Sequence, residues 1–405
     1  MRITLVGFGK SNKALLKALH GDYEFFLSEM RKLSEEERLF LEELKIPYEE
    51  SHTRRLLRSD LIILSPGVSP YSKAGKMVLE SGKPYDVDVG FFFRVNQKHS
   101  IVIGVTGTNG KSTVTSLICH VLREFGRSCF LGGNNENPLF TLKESVDYIV
   151  LELSSFQLFW ARSIPLDVGV FLNFAPDHLD WHSSLEHYFS SKARIADMSS
   201  TFICAEKLGP HFDRPITFSS DDVDINKLPV FLQTSQNISN VAAAIKTLME
   251  LGFSEVDVYK AVQTFKPLPH RMEVVGEKDG VLFIDDSKAT NTHSVLKALS
   301  NFERVTLILS GIIKEEDLED FKKVVREKAD VVILLGKEVR KKIDLRGNEV
   351  FLADDMDEAV KIAYERTRCK KVLLSPAGAS FDMYRNYAER GDDFKRAVEK
   401  LMRDG

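Results

Sequence analysis

Short apolar runs alternate along this chain with longer stretches in which apolar residues recur every three or four positions. The first pattern is that of a buried strand, the second that of a helix with one apolar face. Strands are predicted at Ile3 to Val6, Tyr23 to Leu27 and Asp60 to Leu64, then at Ser100 to Val105, Tyr148 to Leu153 and Val168 to Leu172. A third group follows at Val281 to Ile284, Val305 to Leu309, Val331 to Leu335 and Lys371 to Leu374. Between them, Val114, Leu117, Ile118, Val121, Leu122 and Phe125 keep helical spacing. Val241, Ala242, Ile245 and Leu248 do the same within a helix over 233–251. Ser34 with Glu37 forms a capping-box pattern opening a helix through Lys45, and another helix is predicted from Ser184 to Met198. Regular alternation of strand and helix predicts an α/β protein built on parallel sheets. Pro267 and Pro269 stiffen a linker near residue 268, so the chain is read as three segments, 1–97, 98–268 and 269–405.

Composition narrows the class. A chain of 405 residues has room for two or three domains with their own cores. With 43% hydrophobic and 28% charged residues it reads as a soluble globular protein, and a net charge of −4 argues against general nucleic-acid binding. No apolar run approaches the roughly 20 residues of a membrane helix, and Met1 to Val6 reads as a strand rather than a signal peptide. Cys119, Cys129, Cys204 and Cys369 form no C-x-x-C pair and are expected to be reduced, mostly buried thiols of a cytoplasmic protein.

The sharpest chemical signal lies where the Ser100–Val105 strand meets the next helix, at Thr106-Gly107-Thr108-Asn109-Gly110-Lys111-Ser112-Thr113. Glycines there let backbone N–H groups turn around an anion, and the helix N-terminus adds partial positive charge. Lys111 can reach outer phosphates and the Ser112 hydroxyl can ligate Mg²⁺. The match to the phosphate-loop pattern is imperfect, because Gly104 falls one residue early and Val105 holds the first glycine position. Glu152, at the apolar tip of its strand, is a carboxylate that needs a partner such as a metal–nucleotide complex. Asp177-His178-Leu179-Asp180 follows another strand end, a position that favours a site. On pattern alone Lys192 is a solvated helix lysine, and Asn237 and Asn240 either cap their helix or read a base edge.

The two outer segments carry weaker signals. Gly7-Phe8-Gly9 begins a dinucleotide fingerprint whose third glycine is replaced by Asn12, and the ribose-binding acid is missing unless Glu29 serves. A nucleotide's phosphates are therefore a better occupant than NAD. In the third segment, polar clusters follow strand ends at Asp285 to Asn291, at Ser310-Gly311 with nearby Lys314, and at Ser375 to Asp382. These strand ends predict a second substrate site.

Six stretches in order, TGTNGKST (106–113), LELSSFQL (151–158), NFAPDHLDWH (173–182), PHR (269–271), DDSKATN (285–291) and SPAGASFDMYRNYAERG (375–391), resemble the Mur ligases. The likeness is greatest to the branch that adds D-glutamate to UDP-N-acetylmuramoyl-L-alanine. It implies three domains: an N-terminal Rossmann-like domain for the UDP-sugar, a central P-loop mononucleotide-binding domain for ATP, and a C-terminal Rossmann-like domain for the amino acid. It also implies an ADP-forming, ATP-dependent acid–amino-acid ligase of peptidoglycan precursor synthesis, working as a monomer with no nucleic acid and no membrane insertion.

The resemblance reverses the reading of Lys192, which becomes a lysine carbamylated by CO₂ whose oxygens suit Mg²⁺. Catalytic roles fall to Lys111, His178 and Lys192. Two Mg²⁺ sites are implied, one on Ser112 and Glu152, the other on His178 and modified Lys192. ATP would be held by Gly107 to Thr113, with Asn237 and Asn240 near adenine and Arg271 and Asp286 on phosphate and ribose. D-glutamate would meet Lys288, Thr290, Lys314, Ser380 and Tyr387; the UDP-sugar would meet Ser11, Ser65, Pro66, Gly67 and Asn134. The chain departs from the family pattern at Leu27-Ser28-Glu29 and at Asp88-Val89-Gly90-Phe91, both on the nucleotide-sugar side. Rival readings are a folylpolyglutamate-synthase-like ligase, a P-loop ATPase switch and a nicotinamide oxidoreductase.

Overall fold

The computed structural model describes residues 1–96, 100–134, 137–266, 268–313, 318–345 and 347–403. It divides into two compact units, Met1–Phe265 and Lys266–Gly405. The first unit holds two parallel sheets. One comprises β1 (Arg2–Val6), β2 (Glu24–Ser28), β3 (Tyr48–Glu49), β4 (Leu61–Leu64) and β5 (Tyr85–Val87), in the order β3-β2-β1-β4-β5. The other comprises β6 (Ile101–Thr106), β7 (Cys129–Gly133), β8 (Tyr148–Glu152), β9 (Leu166–Phe171), β10 (Ser199–Ala205) and β11 (Ile216–Phe218), in the order β11-β10-β9-β6-β8-β7. Helices cross over between parallel strands, as this hydrogen-bonding geometry requires. In both sheets the central strands are buried along almost their whole length, which is why they read as uninterrupted apolar runs.

One apolar core runs through both sheets of the first unit. Phe140 packs its ring against Phe91 and Phe92, with centroids 6.2 and 5.3 Å apart. Trp160, fully buried, donates its indole N–H to the Val68 carbonyl at 2.8 Å, and Trp181 donates to that of Gly67 at 3.2 Å. Burying one such aromatic contributes roughly 2–3 kcal/mol, and the paired indole N–H avoids the penalty of an unmet donor.

The second unit builds one six-stranded sheet in the order β12-β13-β17-β14-β15-β16. These are β12 (Glu273–Lys278), β13 (Val281–Asp285), β14 (Val305–Ser310), β15 (Ala329–Leu335), β16 (Glu349–Ala353) and β17 (Lys371–Ala377). All pair in parallel except β12, which runs antiparallel to β13 along the edge. The sequence EVVGEK of β12 has no apolar run, and no residue of that strand is fully buried. Edge exposure therefore hides it from a hydrophobic pattern.

Several local expectations meet their structural counterparts. Ser34 accepts from the Glu37 N–H while Glu37 accepts from the Ser34 N–H, capping the helix Glu35–Glu43. The expected helices over 184–198 and 233–251 appear as Leu185–Asp197 and Ser235–Glu250. Among the described residues no helix is long and apolar enough to cross a membrane.

The cysteines require a correction. Cys119 and Cys129 are joined in a disulfide with Cα atoms 5.8 Å apart, leaving Cys204 and Cys369 as free thiols. The third turn of the helix after the phosphate loop lies directly against the start of β7, and no C-x-x-C spacing is needed for that approach. A cross-link spanning a sequence separation of 10 restricts the unfolded chain by about 3 kcal/mol on the loop-entropy model. Reduction, or Cys119→Ala, is accordingly expected to lower the thermal midpoint of the first unit; equal midpoints for oxidised and reduced protein would contradict this.

Candidate active site

Strand register assembles the site in the first unit. Val105 lies opposite Glu152, and Glu152 opposite Gly133, so three carboxyl-terminal strand ends align. Gly104 stays inside β6, where an added Cβ would sit 2.7 Å from Leu166, so it belongs to sheet packing and not to the loop. The loop itself is held from below. The Thr106 hydroxyl donates to the Leu153 carbonyl at 2.9 Å, and Asn173 both accepts from the Asn109 N–H (3.0 Å) and donates to its carbonyl (2.9 Å). Gly110 turns with φ +88°, and a Cβ there would meet the Asn240 side-chain oxygen at 2.1 Å. That turn starts the helix Lys111–Glu124, whose first residues have no side-chain cap. A helix N-terminus of this kind presents N–H groups to an anion.

Polar side chains converge on the same strand ends. The Ser112 hydroxyl donates to Glu152 at 2.5 Å, and the Asn134 amide reaches the other Glu152 oxygen at 3.3 Å. Lys111 folds over its loop, its ammonium bonding the Gly107 and Thr108 carbonyls at 2.8 and 3.0 Å. Lys192 donates to the same Gly107 carbonyl at 2.8 Å and is only 2% exposed, so it is not the solvated residue that helical pattern alone suggests. Burial, then the nearby Lys111 charge, hold its amine well below the usual lysine range. Tyr188 lies beneath it, ring centroid 4.7 Å from the amine, with its hydroxyl 3.3 Å from the Thr108 hydroxyl.

The Asp177–Asp180 loop closes over this cluster. His178 has φ +55°, its backbone N–H donates to Asp177 at 2.8 Å, and its ring edge meets Phe156. Burial lowers the His178 pKa, opposed by Asp177 and reinforced by the charges of Lys192 and Lys111. His182, buried and 2.9 Å from the Ser155 hydroxyl, is pushed to about 3 by burial and by neighbouring His187. It is a neutral strut that residue pattern did not single out, as are Asn173 and Tyr188.

In the first sheet, Ser11 and the Ser65-Pro66-Gly67 turn gather at the carboxyl ends of β1 and β4. A Cβ on Gly7 or Gly9 would come within 2.8 or 2.9 Å of Ser65. Ser11 bonds the buried Asp88 carboxyl, which burial raises to about 6. Asn12 replaces the third fingerprint glycine by donating its amide to the Gly7 carbonyl at 2.8 Å. Glu29 accepts the Phe8 N–H at 2.7 Å, so this carboxylate braces the glycine turn. Asn237 spends its amide on the Phe231 carbonyl at 2.9 Å, whereas the buried Asn240 amide nitrogen has no partner among the described residues.

The second unit gathers its candidates around β13 and β17. His270 bonds Asp285 at 2.7 Å, and the His270 carbonyl accepts the Lys288 N–H at 3.1 Å. Lys288 donates to the Tyr387 hydroxyl at 2.9 Å, and Ser375 donates to Asp286 at 2.8 Å. Arg390 is fully buried and ties Ser287 to the Gly378 carbonyl, burial lowering its pKa to about 10. Arg271 is part-exposed beside Met272, Ser380 is buried at the turn after β17, and Thr290 is exposed. Lys314 lies outside the described residues. Arg390, His270 and Asp285 stood within the quoted motifs, but nothing in their local pattern announces that they fasten neighbouring loops together.

A glycine turn that suits a nucleotide's phosphates, and a second unit with its own polar cluster at strand ends, fit an ATP-dependent, amide-forming ligase. The comparisons specify it further. The family models match "MurD N-terminal domain" over residues 2–74, "Mur ligase middle domain" over 105–207 and "Mur ligase, glutamate ligase domain" over 270–378. The chain belongs to the Mur ligase family. It is 39% identical to the UDP-N-acetylmuramoylalanine–D-glutamate ligase of Thermotoga petrophila, covering 99% of each chain, and 36% identical to that of Petrotoga mobilis, covering 99% of this chain and 100% of that one. The fold is shared with the UDP-N-acetylmuramate–alanine ligase of Thermotoga maritima (TM-score 0.60, 20% identity, 100% of both chains). It is shared also with a MurF ligase of Thermotoga maritima crystallised with ADP (TM-score 0.60, 18% identity, 93% and 95% covered).

Asp286 makes a pH prediction. Burial raises its carboxyl to about 7, against about 3.9 when unfolded. The folded chain thus keeps a proton that the unfolded chain releases, and this contribution, complete below about pH 4, is lost as pH rises through 7. Asp286→Asn is expected to flatten the fall in thermal midpoint between pH 5 and 8; an unaltered slope in calorimetry would contradict it.

Proposed function

We propose that this chain, a monomer of the cytoplasm, uses ATP to join D-glutamate to UDP-N-acetylmuramoyl-L-alanine. The observation that carries this reading is full-length similarity to D-glutamate ligases at 36–39% identity, joined to a glycine turn over which Lys111 folds. Residues 1–97 take the UDP-sugar through Ser11, Ser65, Pro66 and Gly67, joined by Asn134 from the next segment; 98–268 take ATP; 269–405 take D-glutamate through Lys288, Thr290, Lys314, Ser380 and Tyr387. Gly107 to Thr113 hold the phosphates, Asn237 and Asn240 lie toward adenine, and Arg271 and Asp286 toward phosphate and ribose. The Asn240 amide beside Gly110, without a partner among the described residues, supports that reading for Asn240; the bond Asn237 makes to Phe231 weakens it for Asn237.

A carboxylate resists attack by an amine because of its charge and its poor leaving group. Transfer of a phosphoryl group to it gives an acyl phosphate, and the amine then displaces phosphate through a tetrahedral intermediate. Lys111 and the uncapped helix N-terminus orient the triphosphate and offset charge on the moving phosphoryl group. Ser112 and Glu152, a hydroxyl and a buried carboxylate already in contact, are hard oxygen donors that fit Mg²⁺. His178 and Lys192 fit a second Mg²⁺ only if the lysine is carbamylated, because an ammonium repels the ion. The buried Lys192 amine beside the Gly107 carbonyl supports that modification. When bound, Mg²⁺ supplies charge neutralisation to the phosphoryl oxygens.

Phosphate release from ATP is expected to require UDP-N-acetylmuramoyl-L-alanine and, in a panel of D- and L-amino acids, D-glutamate; release indifferent to the acceptor would overturn the assignment. Lys192→Ala should lose activity by several orders of magnitude and regain part of it with a short carboxylic acid. Native mass spectrometry of bicarbonate-equilibrated, active protein should show the CO₂ adduct, and an unmodified lysine there would refute the carbamate.

A further inference from the structure

A cavity of about 710 Å³ opens in the first unit, and of the candidate residues and family-pattern stretches named above only Gly90, from the Asp88–Phe91 stretch, lines it. Its walls include Lys83 and Tyr85 at the start of β5, Phe93 and Arg94 on the helix Asp88–Val95, and Arg162 in the turn before β9. These are the amino ends of strands whose partners carry Ser65 and Gly107 at their carboxyl ends. The length of β9, roughly 17 Å, separates the two levels. The cavity is therefore distinct from the nucleotide strand end, while the three-residue β5 sets it nearer the Ser65 turn.

Its electrostatics are lopsided. Three cationic side chains face one carboxylate, Asp86, which is buried and already accepts the backbone N–H groups of Val87 (2.9 Å) and Arg162 (3.2 Å). Lys83 donates to the Ser59 carbonyl at 3.2 Å, which fixes its chain along the wall. The Arg162 guanidinium lies 5.0 Å from the Tyr85 ring centroid, with one nitrogen 3.4 Å from its hydroxyl. Arg94 and Arg162 are both exposed, so their forks remain accessible to an anion. A volume of this size suits a small molecule, and flat aromatic walls suit a ring.

We propose that this cavity binds a small organic anion bearing a planar ring, its phosphate or carboxylate held by Arg94 and Arg162 and its ring set against Tyr85 and Phe93. Guanidinium groups pair with such oxyanions through two parallel N–H donors, and this directional match distinguishes a site from diffuse positive charge. The Asp86–Arg162 bond joins β5 to the turn before β9, so an occupant would brace the first sheet against the second.

4-Nitrophenyl phosphate is a suitable probe, titrated into the full chain by calorimetry with inorganic phosphate in parallel. Binding by the wild type and by Lys111→Ala alike, weakened about tenfold or more by Arg94→Ala with Arg162→Ala, is the expected result. Retained affinity in the double variant, no binding by the wild type at millimolar probe, or loss in Lys111→Ala would overturn the site. Inorganic phosphate binding as tightly as the probe would overturn the aromatic half of the proposal. Arg94→Ala alone, a change at an exposed helix end, provides the same reading should the double variant unfold.

Discussion

One backbone carbonyl organises the catalytic half of this molecule. The Gly107 oxygen accepts from both Lys111 and Lys192 at 2.8 Å, so two amines converge on the end of a buried strand. Burial first, and then the nearby Lys111 charge, lower the proton affinity of the deeper amine, while Asp177 and Glu152 oppose that shift. The Tyr188 ring lies against the amine, His182 packs on Tyr188 and Phe156 on His182, and Glu152 is kept at the neighbouring strand end by Ser112 and Asn134. The result is Lys111 folded over its loop beside an uncapped helix N-terminus, an arrangement that suits a polyphosphate.

The second unit solves a related problem differently. The end of β13 carries two carboxylates, Asp285 and Asp286. Each has a local partner: Asp285 bonds the His270 ring, and Asp286 accepts from the Ser375 hydroxyl. The fully buried Arg390 then spans Ser287 and Gly378, so the loops after β13 and β17 are fastened by one planar cation. Removing one partner from such a buried network leaves the others unpaired, which is costlier than never having formed it. Lys288 and Tyr387 emerge from this fastened base and face each other at 2.9 Å.

Much of the architecture was legible in the chain because it depends on near neighbours. Strands buried on both faces must be apolar throughout, so Ile62 to Leu64 and Val331 to Leu335 declare themselves. The capping pair Ser34 and Glu37 lies three residues apart, and the glycine turn, lysine and serine of the phosphate loop are contiguous. The edge strand β12 escaped because an exposed, half-paired strand needs no apolar run. Cys119 and Cys129 were misjudged because their approach depends on how a helix lies on a strand, which spacing does not encode.

The sequence by itself therefore determined the alternation of strand and helix, the caps and the anion-binding turn, since each is decided by dihedral preference and side-chain periodicity over a few residues. Tertiary structure alone decided that Lys192 is buried against a carbonyl 85 positions away, that Asn240 lies over Gly110, and that Arg390 reaches back to Ser287. Those outcomes turn on dielectric environment and on contacts between distant segments, and a lysine on a helix face carries no local mark of which side of the protein will cover it.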